Sequence, residues 1–414
     1  MRTGEGDAAE TAETAETVAR RSYGKLVAFL AARTRDVSAA EDAFAAAMID
    51  WPRTGAPDNP EAWLMTVARR KLIDAARRRQ TGEAATPQVV LMQEELQAID
   101  QTDIPDKRLA LMFACAHPAI DESVRAPLIL QTVLELNAQA IASAFLTSPA
   151  AMAKRLVRAK EKIRTAGIPF SIPPREELSD RLSAVLDAIY AAFSEGWTDP
   201  AGTDAARRDL TGESLFLARL AVQLMPDEPE ALGLAALMLH AEARRPARRN
   251  AAGDYVPLAE QDVALWNMVL IAEGDALIRR AGTKAELGRY EIEAALQSAH
   301  AHRRLNGQDN WAEIVALYDA LLAIAPSPVV EINRALAMVE GAASGLAAMP
   351  TAEAEPQLAS YQPYWAARAE LLSPLGAKAE AAKSYDLAVG LERDPAVRRF
   401  LQARRASAAG DETE

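Results

Sequence analysis

Residues 138–164 read AQAIASAFLTSPAAMAKRLVRAKEKIR. The second half of this stretch holds six Lys or Arg and one acid, in a chain of 46 basic and 58 acidic residues with a formal net charge of -12. From Ser148 on, Met152, Leu156, Ala159 and Ile163 recur at helical spacing and make one apolar stripe. Lys154, Arg155, Arg158 and Lys162 fall on the other side of the same helix. Ser148 is a favourable N-cap, and Pro149 suits the first helical position, where its missing N–H is not needed. A shorter helix is predicted before it, over 138–145, with Asn137 as its cap and Ile141 and Phe145 on one face. Two short helices, a tight turn at 146–148 and a basic second helix describe a helix-turn-helix. Its basic face suits phosphates and groove edges. A solvated helix with ordinary surface charge is the other reading of this segment.

The bulk composition narrows the frame. A chain of 414 residues divides into about two to four domains. Ala is abundant and no stretch alternates with period two, so the expected class is all-α. The single cysteine, Cys115, excludes a disulfide framework, fits a reducing cytoplasm and reads as a small buried residue. No secretory leader or membrane-spanning apolar run is read from the sequence. The acidic, low-complexity residues 1–16 are expected to be a disordered leader. Residues 1–172 hold 22 basic and 22 acidic residues, and residues 173–414 hold 24 and 36, so the whole excess of acid lies in the second half. Such a split suits one half that touches nucleic acid and one that does not.

A second basic cluster lies in NPEAWLMTVARRKLIDAARRRQ, residues 59–80. Met65, Ala68, Leu72, Ala75 and Ala76 make its apolar face, with Trp63, Val67, Arg70, Asp74 and Arg77 opposite and Arg78 at the edge. An aromatic among arginines can stack bases of an opened strand while guanidiniums hold phosphates. Trp63 as plain core is the competing reading. The preceding WPRTGAPDNP, with three prolines, is expected to be a loop, and Asn59-Pro60 to start the helix. Upstream, Ser38 and Glu41 have capping-box spacing, and Phe44, Ala47, Met48 and Trp51 form an apolar face that leaves Glu41 and Asp42 outside. Tyr23, Leu26, Val27 and Leu30 give another amphipathic helix. The expected organisation is a small bundle over 17–80, a polar linker over 81–103, a helix-turn-helix domain over 104–172 and a helical extension over 173–414.

SAAEDAF, NPEAWLMTVARRKLIDAARRR and the C-terminal helix-turn-helix together resemble an extracytoplasmic-function sigma factor of bacterial RNA polymerase, in the sigma-70 family. ACAHPAIDESVRAPLIL, FSEGW, LMPDEPEALGLAALMLHAEARRPAR and LAIAPSPVVEINRALA resemble the branch with a long extension related to tetratricopeptide repeats. The resemblance covers about residues 17–405. It implies that Glu41 and Asp42, supported by Phe44 and Met48, face core RNA polymerase. It implies that Asp58, Asn59, Trp63, Arg70, Asp74, Arg77 and Arg78 meet the -10 element. Ser148, Lys154, Arg155, Arg158 and Lys162 would meet the -35 element. The chain departs from the family pattern at Ala45-Ala46, Arg70 and Ala153. The implied partners are core RNA polymerase, through clamp and flap, and promoter DNA, with a regulatory protein on the repeat region. No membrane partner is expected, and the expected location is the cytoplasm.

Residues 173–414 read as degenerate helix pairs, as in VALYDALLAIAPSPVVEINRALAMV. Stacked pairs suit protein binding; a plain scaffold is the alternative. His300 and His302 stand two apart, so a helix points them in different directions. No metal-ligand, nucleophile-elbow or phosphate-loop pattern occurs, so no catalytic residue, cofactor or metal is expected. RRPARRN at 244–250 is expected to be an exposed loop, and Glu195-Gly196-Trp197 a structural turn. The competing functional reading is a stand-alone helix-turn-helix regulator with a helical sensor or protein-binding domain.

Overall fold

The computed structural model describes residues 22–54, 59–80, 107–145, 147–168, 173–197, 205–283, 287–338 and 341–409. The fold is all-α; among the described residues the β features amount to one isolated bridge, Arg249–Tyr255. Two compact units are present, one of residues 1–199 and 204–220, the other of 200–203 and 221–414. The predicted leader and the linker lie outside the described residues.

The first unit opens with α1 (22–34), α2 (Val37–Thr54) and α3 (Pro60–Gln80). Leu26, Phe29 and Leu30 of α1, Phe44, Ala47 and Trp51 of α2, and Leu64, Met65, Ala68 and Leu72 of α3 are buried, and α2 packs on α3. Tyr23 meets Phe44 edge-on at 5.3 Å. Lys25–Glu61 at 3.0 Å ties α1 to α3, and Lys71–Asp50 at 2.7 Å ties α3 to α2. The cap of α2 is Asp36, which accepts from Ala39 N at 3.0 Å, so the Ser38 capping box does not form. That helix also runs on through Pro52 to Thr54, where a loop was expected; Pro52 has no N–H to give the helical ladder, and the helix ends two residues after it. Asn59 caps α3 as predicted, accepting from Ala62 N at 3.1 Å.

The same unit continues with α4 (Arg108–Cys115), α5 (Glu122–Thr132), α6 (Ala138–Ala144), α7 (Pro149–Ala166), α8 (Arg175–Trp197) and α9 (Ala205–Leu224), whose last turn belongs to the second unit. Ser148 Oγ accepts from Ala151 N at 3.3 Å and caps α7. Gly167 ends α7 at φ 61, a left-handed backbone that glycine adopts without a Cβ clash. Met152, Leu156, Ala159 and Ile163 are all buried, and α7 packs on α5 and α6. Of Ile141 and Phe145, expected on one face of α6, Ile141 is buried and Phe145 is exposed. Cys115 is buried against Thr132, and burial pushes its thiol up to about 12. Helix α8 packs on α4 and α5 and buries Leu182, Val185, Leu186, Ile189 and Phe193. Glu195-Gly196-Trp197 is its last turn, not a separate one, with Trp197 stacked on Phe193 at 5.7 Å.

The second unit centres on α10 (Pro229–Ala243), apolar and buried all round, against which α11 (Met268–Ala281) and α12 (Arg289–Asn306) pack. Glu230 of α10 caps α12, accepting from Tyr290 N at 2.9 Å. Then follow α13 (Trp311–Ile324), α14 (Pro328–Ala337), α15 (Ala342–Ala348), α16 (Gln362–Leu372), α17 (Lys378–Leu391) and α18 (Pro395–Ala409). Each packs on the next in chain order.

Candidate nucleic-acid interface

Burying the apolar stripe of α7 leaves its opposite face in solvent. Ser148, Lys154, Arg155, Arg158 and Lys162 are exposed there, as the spacing predicts. Arg155, Arg158 and Lys162 line an open cleft of about 330 Å³ with Ala119, Ile120, Asp121, Ser123 and Val124. Asp121 caps α5; hydrogen bonds from Ser123, and then the fields of Arg155 and Arg125, hold its carboxyl below the usual range. Three cations against one acid make the cleft a place for an anion such as backbone phosphate.

The surface of α3 is mixed. Arg70 and Asp74 are exposed, on the face opposite Met65, Ala68 and Leu72. Trp63 is half-buried and meets the fully buried Trp51 edge-on at 5.4 Å, so part of the ring is core. Asp58 lies outside the described residues. Arg77 and Arg78 sit in the last turns of α3, where the description covers the backbone alone.

On α2 the expectation for Glu41 needs correction. Asp42 is exposed, Phe44 is buried and Met48 is half-buried, but Glu41 is not outside. Both of its carboxylate oxygens lie 2.7 Å from Lys160 Nζ, with Glu41 20% and Lys160 11% exposed. Helical spacing cannot foresee a partner 119 residues away. Lys160 did carry a signal: on the wheel it flanks the apolar stripe of α7 on the side away from Arg155 and Arg158, where a neighbour covers it.

Two clusters in the second unit also escaped the sequence reading. Asp275 Oδ1 accepts from Ser298 Oγ at 2.8 Å and lies 3.1 Å from His240 Nε2, while Oδ2 lies 2.9 Å from His302 Nε2. Burial acts to raise the Asp275 carboxyl, but His302, Ser298 and His240 hold it below its ordinary value. Burial pushes His240 down to about 4 despite Asp275. His300 points elsewhere, edge-on to Trp311 at 6.0 Å, and burial pushes it down to about 4 as well. RRPARRN is not an exposed loop. Arg245–Arg248 form a 3-10 turn with Ala247 buried, Arg244 donates to Gln297 and to His240 O, and Arg249 pairs with Asp394. Burial pushes the guanidiniums of Arg244 and Arg248 down to about 10, a burial that composition alone does not reveal. Among the described residues no group of His, Cys, Asp or Glu could hold a metal ion, and no helix is long and apolar enough to cross a membrane.

Comparison with known proteins places these elements. Residues 18–81 match the Sigma-70 region 2 family, and residues 181–282 match a family of unknown function, DUF6596. An uncharacterized protein of Rhizobium meliloti (strain 1021) is 39% identical over 370 residues, covering 86% of this chain and 87% of that one. No solved structure matches the chain. The chain therefore belongs to the same family as the Rhizobium meliloti protein, and the Sigma-70 region 2 match over residues 18–81 supports a place in the sigma-70 family.

Proposed function

We propose that the chain is a sigma factor of the extracytoplasmic-function type that binds core RNA polymerase and directs it to a subset of promoters. The observation that carries this reading is the exposed basic face of α7, on a chain whose residues 18–81 match Sigma-70 region 2. Arg155 and Arg158, with Lys154 and Lys162, read the -35 element in the major groove, and Ser148 meets its phosphates. Asp58, Asn59, Trp63, Arg70, Asp74, Arg77 and Arg78 serve the -10 element as the strands open. Glu41, Asp42, Phe44 and Met48 serve the polymerase clamp. The domains fall at 17–80, 104–172 and 173–414, the last a tetratricopeptide-like extension that regulates initiation, directly or through a protein partner. The polymerase performs the catalysis, in the cytoplasm, and the chain itself is no enzyme.

The test is competition between the full-length chain and a housekeeping sigma factor for purified bacterial core RNA polymerase. Displacement of the housekeeping factor is expected. A chain that binds promoter duplex alone and never the polymerase would instead be a stand-alone regulator.

A further inference from the structure

Residues 173–414 carry the whole excess of acid, yet several of their cations gather in one place within the second unit. Gln297, His300 and Arg303 stand three apart on α12 and share one strip of that helix. Arg244, just past the end of α10, reaches this strip and donates to Gln297 Oε1 and to the backbone oxygen of His240. Arg303 stacks over the Trp311 ring at 4.2 Å, and its Nε is buried without a hydrogen-bond partner. His300 stands between them on the strip, edge-on to the same ring at 6.0 Å. After burial, the fields of Arg244 and Arg303 lower its pKa, so both guanidiniums act on one point. Arg248 adds a third cation, whose field lowers Arg244 beyond what burial does. The acids nearby are already used: Glu242 pairs with Arg245, and Asp394 with Arg249. Among the described residues no ion pair joins Arg244 or Arg303 to an acid. The end of the chain braces the cluster. Tyr255, on which Arg248, Arg249 and Arg244 all act, meets Phe400 of α18 edge-on at 5.3 Å, and Arg399 pairs with Asp254 at 2.8 Å.

We propose that Arg244, His300 and Arg303, with the field of Arg248, form a binding site for a phosphate dianion, free or as a phosphate monoester. Holding like charges together away from water costs free energy that a bound anion offsets. A guanidinium presents a planar fork of donors that fits two oxygens of one phosphate, and Arg303 Nε is an unused donor of such a fork. His300, kept neutral, adds one more donor or accepts from a phosphate that still carries a proton. Three cations match a dianion better than a single carboxylate. The site does not depend on the sigma-factor reading, and it gives the second unit a ligand of its own.

Titration calorimetry of the full-length chain with inorganic phosphate, and separately with phenyl phosphate, tests the site and its source of phosphate. Saturable binding is expected, with a rise in melting temperature as phosphate is added. Tighter binding of inorganic phosphate assigns the site to the free ion, and tighter binding of phenyl phosphate assigns it to an ester. Arg244→Gln and Arg303→Gln should each weaken binding about tenfold or more, since each removes a charge-assisted contact. Arg303→Lys keeps the charge but not the fork; it should also bind more weakly, and it guards against a glutamine variant that fails to fold. Arg279→Gln removes the same charge at an exposed position near the end of α11 and should leave the affinity unchanged. Three results would each overturn the proposal. One is no saturable binding by the parent chain. Another is full affinity in folded Arg244→Gln and Arg303→Gln, or in folded Arg303→Lys, which would put the anion elsewhere, such as on the basic face of α7. The third is an equal loss in Arg279→Gln, which would make the effect one of overall charge.

Discussion

Acid should unfold the second unit through two histidines that it keeps neutral. His240 is fully buried in the last turn of α10, and Gly274 of α11 makes room for its ring, since a Cβ there would lie 2.9 Å from Cδ2. Burial lowers His240 from 6.5 to about 4, and His300 behind Trp311 likewise. Above pH 6.5 both are neutral folded and unfolded, and their contribution is fully present. As pH falls below 6.5 the unfolded chain takes up protons that the folded one refuses, so stability is lost until about pH 4. Over that window each histidine costs up to about 3 kcal/mol, or roughly 1.4 kcal/mol per pH unit. Losses of that size are comparable to the whole margin of a typical domain. Asp275, held below its ordinary value, has the same sign but acts at lower pH, as its carboxylate protonates. Hydrogen exchange of α10 and α12 at pH 7.5, 6.0 and 5.0 reads the opening free energy of this unit directly. His240→Gln should lower stability at pH 7.5 yet flatten its fall towards pH 5. Equal protection at pH 7.5 and 5.0, or an unchanged slope in His240→Gln, would refute the reasoning.

Other consequences are open to direct measurement. Arg155→Ala and Arg158→Ala should each weaken -35 recognition by roughly 1–3 kcal/mol per lost base contact, and normal initiation by both on a promoter dependent on that element would remove α7 from the groove. Ser148→Ala deletes the α7 cap and should lower the stability of the first unit by about 1 kcal/mol in chemical denaturation, with an unchanged midpoint as the contrary result. A chain ending at 172 lacks α8, whose buried Leu, Ile and Phe side chains are worth about 1.5–3 kcal/mol each. It should melt below a chain ending at 224, and equal melting temperatures would mean α8 adds no packing. If the -12 charge of residues 173–414 screens the basic helices, the shorter chain should also bind DNA more tightly at low salt but not at high salt. Equal affinity at low salt excludes that screening.

Much of the first unit was legible because helix signals are local. The 3.6-residue period placed Met152, Leu156, Ala159 and Ile163 inside and Arg155 and Arg158 outside, and Ser148-Pro149 and Asn59-Pro60 marked where α7 and α3 begin. Local signals also misled where two candidates compete. Asp36 outcompeted Ser38 as the cap of α2, and that helix runs two residues past Pro52 before it ends. The charge balance of RRPARRN suggested solvent, but burial lowers the guanidiniums of Arg244 and Arg248, and its charges meet Gln297 and Asp394.

By itself, then, the sequence determined an all-α chain, its main helix boundaries and the basic face of α7, because each follows from neighbours a few residues apart. Only the tertiary structure decided which faces meet. Glu41 found Lys160 across 119 residues, Gly24 met the Val133 carbonyl, and Asp275 came to lie among His240, Ser298 and His302. Such pairings depend on how packed helices register against each other, and that register is set by whole buried surfaces, which no local period encodes.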